Sequence, residues 1–238
     1  MIKAVNITKY FGSAKILDGI SFEIGKNEIV GFLGQNGAGK TTLMRILTSF
    51  LAPTSGQVFI SGEDVTKNPF TIGRQIGYLP ENPPLYPSLT VRDYLKFAAQ
   101  LKDVNKNKIP SQIDRVLEEC HLRDVRNKVI GILSKGYKQR LGIAQAIIHD
   151  PQVLILDEPT NGLDPVQILH VRELIRNLGE KRTIIVSTHI LSEIEELAKR
   201  VMILKNGKLA VDQPLGDILS QHKSLEGIFL KIVSTQLD

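Results

Sequence analysis

Eight residues near the start of the chain, Gly34-Gln35-Asn36-Gly37-Ala38-Gly39-Lys40-Thr41, read G-x-x-x-x-G-K-T. They follow the apolar run Ile29 to Leu33 and open the helix-like stretch Thr42-Leu43-Met44-Arg45-Ile46-Leu47. A strand, a glycine loop and a helix in this order form a cradle for phosphate groups. Glycines let successive backbone N–H groups turn inward, and the helix start adds partial positive charge. Lys40 supplies a full charge toward the β- and γ-phosphates, and the Thr41 hydroxyl suits Mg²⁺. Gly34, Gln35, Asn36, Gly37, Ala38, Gly39, Lys40, Thr41 and Thr42 are therefore the candidate nucleotide-binding positions.

The loop demands an α/β fold, and the rest of the pattern agrees. Short apolar runs at Ile2 to Ile7, Ile20 to Ile24, Ile29 to Leu33, Gln57 to Ile60 and Gln75 to Leu79 predict strands, the first of them antiparallel in character. Later strands are expected at Val153 to Leu156, Thr183 to Ser187, Val201 to Leu204 and Lys208 to Val211. Between the first two of these, Ile168, Val171, Leu174, Ile175 and Leu178 share one helical face, so strand, helix and strand imply a parallel sheet. Asn206-Gly207 signals a type I′ hairpin.

After the proline-rich joint at 82–87, helical spacing appears at Thr90 to Leu101, Ser111 to His121 and Gly136 to His149. The expected plan is one domain over 1–238, with an all-helical subdomain at about 83–150 inserted into the α/β core. A short extension over about 213–238 carries Ile218-Leu219 and Ile228-Phe229-Leu230, which suggest a small helix or strand packing back.

Val153-Leu154-Ile155-Leu156 ends in Asp157-Glu158, at the edge where parallel sheets hold ligands. Beside a phosphate loop, Asp157 suits Mg²⁺ and Glu158 suits a proton acceptor for water attacking the γ-phosphate. Further on in the helical insert, Ser134 is a natural N-cap and Gly136 leaves the backbone open to an anion.

Bulk properties constrain the partners. The net charge of +5, from 30 basic and 25 acidic residues with no like-charge runs, is too mild to argue for nucleic acid. A single cysteine, Cys120, permits no intrachain disulfide and fits a reducing compartment. No stretch approaches the roughly 20 apolar residues that cross a bilayer, and the N-terminus lacks the apolar core of a signal peptide. If the protein works at a membrane, another chain is expected to span it.

Leu133-Ser134-Lys135-Gly136 before the strand ending Leu154-Ile155-Leu156-Asp157-Glu158-Pro159-Thr160, followed by Ser187-Thr188-His189, resembles the ATP-binding cassette of ABC transporters over nearly the whole chain. The resemblance implies ATP and Mg²⁺ as ligands, ATPase activity, and a P-loop NTPase core with an antiparallel N-terminal subdomain and a helical insert. It implies a head-to-tail homodimer in the ATP-bound state, in which Ser134 and Gly136 contact the γ-phosphate held by the opposite subunit. It assigns Asp157 to Mg²⁺, Glu158 to the catalytic base, His189 to the γ-phosphate, Asp164 to the loop that couples the two sites, and Phe11 to the adenine. A polytopic membrane permease is the implied partner, with the chain cytoplasmic and peripheral on the inner face of the membrane.

Two departures stand out. Glu81 occupies the position where the family usually has glutamine, and it can approach Mg²⁺ or water but cannot donate an N–H. Lys135 and Tyr137 stand where glycine and glutamine are usual. Such variants are similar to cassettes of an exporter group that includes antibiotic-resistance, sodium-export and gliding-motility-associated transporters. The competing readings are a soluble cassette ATPase acting on DNA or the ribosome, and a non-catalytic nucleotide-binding regulator.

Overall fold

A computed structural model describes residues 1–222 and 224–234. In chain order the elements are β1 (Ile2–Phe11), β2 (Ala14–Ile24), β3 (Ile29–Leu33), α1 (Lys40–Leu47), β4 (Ser55–Ile60), β5 (Glu63–Asp64), α2 (Pro69–Gln75) and β6 (Ile76–Leu79). Then follow α3 (Val91–Leu101), α4 (Ile109–Glu119), α5 (Lys135–Ile147), β7 (Val153–Asp157), α6 (Pro165–Gly179) and β8 (Thr183–Thr188). The chain closes with α7 (Leu191–Leu197), β9 (Arg200–Lys205), β10 (Lys208–Pro214), α8 (Leu215–Gln221) and α9 (Leu225–Ser234).

Two sheets divide the strands. One is antiparallel, in the order β2-β1-β4-β5, and the other runs β10-β9-β3-β8-β7-β6. Within the larger sheet β9, β3, β8, β7 and β6 are parallel, and β10 pairs antiparallel with β9 at one edge. Every residue of β3, β7 and β8 is buried. Strands covered on both faces read as continuous apolar runs, which is why these three stood out in the sequence. Register places Leu33 opposite Thr188 and Asp157 opposite Ser187, so the loops leaving β3, β7 and β8 emerge together at one sheet edge.

Two apolar clusters sit on opposite faces of the parallel sheet. Ile2, Ile7, Leu17, Phe22, Phe32 and Leu43 join the antiparallel sheet to α1 and the near face of the parallel one. On the far face, Leu95, Val116, Leu141, Leu156, Val171 and Ile194 join α3 to α7 and the strand ends. Thr90 caps α3 by accepting the Asp93 N–H at 3.1 Å, which fixes where the helical region begins.

The α/β class, the antiparallel N-terminal sheet, the parallel core and the three middle helices are as the sequence predicts. Differences arise where local signals are short. β1 and β2 each run longer than their apolar centres, and Gln75 is the last residue of α2 rather than the first of a strand. The sequence reading lacks α2, which starts on Pro69 and contains Gly73, and lacks the seven-residue α7, too short for a clear period. Ile218-Leu219 and Ile228-Phe229-Leu230 both fall in helices, α8 and α9. Residue 223 and positions 235–238 of the expected extension lie outside the described residues. Among the described residues no helix is long and apolar enough to cross a membrane.

Candidate functional site

The loop leaving β3 closes on itself through the Ala38 N–H, which donates to the Gln35 carbonyl at 3.1 Å. Gly39 completes it at φ 104°, and a Cβ there would stand 2.6 Å from Leu17 Cδ2. Both the backbone angle and the lack of room require glycine. α1 then starts at Lys40, whose Nζ donates to the Gly34 carbonyl at 2.6 Å and to that of Gln35 at 3.4 Å. The same ammonium stands 3.8 Å from Glu158 Oε1 and is 6% exposed. Burial holds its pKa below the ordinary 10.5, opposed by the carboxylates of Glu158, Asp157 and Glu81.

The facing wall comes from the ends of β7 and β8. Asp157 is buried, with Oδ1 accepting a hydrogen bond from the Ser187 hydroxyl and Oδ2 left without a partner. Glu158 adopts a left-handed backbone at φ 49°, its N–H held by the Ser187 carbonyl at 2.9 Å. A non-glycine residue kept in that region is strained, and here its carboxylate stands 3.8 Å from the Lys40 ammonium. His189 Nδ1 lies 2.8 Å from Glu158 Oε2, the distance of a hydrogen bond in which the ring N–H donates. Glu81, just beyond β6, accepts from Asn161 Nδ2 at 3.1 Å.

These walls enclose a cleft of about 580 Å³ lined by Phe11, Ile16, Gln35, Asn36, Gly37, Gly39, Lys40, Thr41, Thr42, Glu81, Glu158, Asn161 and His189. Most of the residues predicted from sequence meet there. Gly34 and Ala38 belong to the loop without lining the cleft, and Asp157 is buried behind Glu158. Phe11 is half-exposed at the cleft, with Lys9 Nζ 5.3 Å from its ring centre.

Three further predicted residues stand on other elements, away from the cleft. Ser134 caps α5 by accepting the Tyr137 N–H at 3.4 Å, and Asp164 caps α6 by accepting the Gln167 N–H at 3.0 Å. Gly136 sits beneath Gln167, whose Oε1 would stand 2.0 Å from a Cβ there. Two lining residues were missed. Asn161, three residues before Asp164, lines the cleft with its side chain on Glu81. Ile16 carried no signal in the sequence.

Hard oxygen donors suit Mg²⁺. The unpartnered oxygen of Asp157, the Thr41 hydroxyl and the Glu81 carboxylate supply such donors at the phosphate loop. The residues present therefore fit that ion.

Residues 17–161 match the family model described as "ABC transporter". Among curated proteins the chain is 44% identical to the bacitracin transport ATP-binding protein BcrA of Bacillus licheniformis, over 94% of this chain and 72% of that one. It is 38% identical to the lantibiotic transport ATP-binding protein SrtF of Streptococcus pyogenes, over 90% of each. Among solved structures it resembles an ATP-binding subunit of an ABC transporter, at a TM-score of 0.87 and 29% identity, covering 98% of this chain and 99% of that one. It also resembles the dimeric ATP-binding cassette MJ0796 in a post-hydrolysis state bound to ADP and Pi, at a TM-score of 0.81 and 25% identity, covering 90% and 98%. None of these relatives is a DNA- or ribosome-acting ATPase by its description. With a phosphate loop facing Glu158 and His189 across one cleft, the chain belongs to the ABC transporter family, as an ATP-binding subunit that hydrolyses ATP.

Proposed function

We propose that this subunit powers export through a separate polytopic membrane permease, by closing on a second copy of itself around ATP and reopening after hydrolysis. The observation that carries this reading is the cluster of Lys40, Glu158 and His189 at one cleft, while Ser134 and Gly136 stand outside it. A cleft with one wall of cation and backbone N–H groups leaves the far side of the triphosphate uncovered. The capped start of α5 presents free N–H groups of the kind that bind anions, and in a head-to-tail pair it would cover the partner's nucleotide. The dimeric form of the MJ0796 cassette supports that arrangement.

In this reading the loop N–H groups and Lys40 hold the β- and γ-phosphates, and Phe11 stacks on the base. Thr41, Asp157 and Glu81 hold Mg²⁺, which offsets phosphate charge when bound. Glu158 takes the proton from the attacking water while His189, bonded to its other oxygen, fixes the carboxylate's orientation. Water adds to the γ-phosphorus, the bond to the bridging oxygen breaks, and ADP and phosphate leave. Lys40 currently bonds to Gly34 and Gln35, so phosphate oxygens replace carbonyls already facing it.

The relatives' bacitracin and lantibiotic transport names favour an exporter located at the cytoplasmic face of the membrane. We take 1–238 as one ATP-binding domain with a helical subdomain inserted at about 83–150, and the surface near Glu81 and Pro83-Pro84 as the place that receives a cytoplasmic helix of the permease. The joint at Pro83-Pro84, beside Glu81, borders a groove that includes Phe50, Phe70 and Tyr78, apolar enough to seat a permease helix. The test is Glu158→Gln with ATP and Mg²⁺. Size-exclusion chromatography is expected to show a shift from monomer to dimer, and a variant that stays monomeric at saturating ATP refutes the sandwich.

A further inference from the structure

Glu193, on α7, lines no part of the cleft and is 1% exposed. Its Oε1 accepts the hydroxyl of Thr160, and its Oε2 accepts the hydroxyl of Thr188 at 3.0 Å. The Thr188 oxygen in turn accepts the Ile190 N–H at 3.1 Å. Both threonines are buried. Among the described residues the carboxylate has no ion-pair partner, so these hydroxyls are what satisfy it.

The two threonines are placed with respect to the chemistry. Thr160 lies two residues after Glu158, and Thr188 immediately precedes His189. One carboxylate thus ties the exit of β7 to the exit of β8, the two segments that carry Glu158 and His189 and their 2.8 Å contact. α7 reaches this position because Gly31 leaves room on β3. A Cβ at Gly31 would stand 2.6 Å from Ile194 Cγ2, on the residue next to Glu193. Apolar packing would tie the same loops without desolvating a carboxylate, so the polar bridge is a costly choice for adhesion alone. Directional hydrogen bonds fix atoms to a geometry that apolar contact does not.

We propose that Glu193 is a positioning residue for ATP hydrolysis, holding Thr160 and Thr188 so that Glu158 and His189 meet at hydrogen-bond distance. The inference rests on the reading of Glu158 and His189 as the hydrolytic pair. In the full chain, Glu193→Ala is expected to lower kcat by up to roughly 100-fold, because small misplacements of reacting groups are that costly. KM for ATP is expected to stay within about twofold, since the phosphate loop is untouched. Thr188→Val is expected to lower kcat in the same way, and Thr188→Ser, which keeps the hydroxyl, to restore it. The imidazole nitrogen resonances of His189 should move in Glu193→Ala and Thr188→Val and return in Thr188→Ser.

Unchanged kcat in both Glu193→Ala and Thr188→Val overturns the proposal. So does a loss that Thr188→Ser fails to recover, or one that appears in KM instead of kcat. Should Glu193→Ala not fold, the two Thr188 variants decide alone. Glu158→Gln separates the levels: if it still turns over, the hydrolytic pair is wrong. If it is dead while Glu193→Ala and Thr188→Val are active, the positioning role of Glu193 alone falls.

Discussion

His149, in the turn that follows α5, gives the protein an acid limit that follows from one side chain. Its Nε2 lies 3.2 Å from the Ile76 carbonyl, and its Nδ1 is buried without a partner. Burial, with a smaller push from the Lys102 ammonium, drops its pKa from the ordinary 6.5 to about 4; the Ile76 carbonyl and Asp150 oppose this, and Arg115 adds to it. The folded protein therefore resists a proton that the unfolded chain accepts. Stability from this group is complete above about pH 6.5 and is lost as pH falls toward 4. A gap of about 2.5 pH units at about 1.4 kcal/mol each gives a full penalty of about 3.5 kcal/mol. At about pH 5 the linkage integral gives about 2 kcal/mol of that loss, or roughly 4–8 °C in Tm for a chain of this size.

His149→Gln keeps a donor for the Ile76 carbonyl and removes the titration. Urea unfolding of both proteins without nucleotide, at about pH 7.5 and about pH 5, isolates the effect, because carboxylates titrating in both cancel in the difference. The variant is expected to gain about 2 kcal/mol relative to the parent on acidification. If the difference between the two proteins is the same at both pH values, burial does not suppress this histidine's proton and the reasoning is wrong.

Two further outcomes test the cleft. Lys40→Met is expected to destabilise even the nucleotide-free protein by about 1–3 kcal/mol in urea, because the Gly34 carbonyl loses its ammonium donor; unchanged stability would mean that bond contributes nothing. Phe11→Ala is expected to raise KM for ATP about 3- to 10-fold with kcat little changed, and Phe11→Tyr to stay near the parent in steady-state phosphate release, as stacking of this kind is a modest binding term. An equal loss in kcat would remove Phe11 from base binding.

What the sequence revealed depended on how local each signal was. Lys40 and Thr41 were legible because loop, strand and helix are contiguous, and β3, β7 and β8 because strands covered on both faces are apolar throughout. Which side chains of the segment 161–164 face the cleft is not encoded in its composition. A cap at Asp164 directs its carboxylate to the α6 backbone, and that same segment aims Asn161 at Glu81, 80 residues earlier. Ile16 reaches the cleft through an antiparallel sheet whose position is set from elsewhere in the chain. Glu193 gave no sign either, since its partners Thr160 and Thr188 are assembled by the parallel register of β7 and β8.

The hairpin between β9 and β10 makes that long-range dependence concrete. Asn206 and Gly207 both take positive φ, as the turn requires. The Gly207 N–H donates to the Ala38 carbonyl at 3.2 Å, its carbonyl accepts the Asp18 N–H at 2.9 Å, and a Cβ on it would lie 2.4 Å from the Ile16 carbonyl. Hairpin tips are ordinarily where protein engineers splice epitopes and reporters, because such ends tolerate extra residues. Here the tip is a buttress pressed against the back of the nucleotide cradle. A reporter spliced between residues 206 and 207 would register as weakened ATP affinity rather than as a silent label.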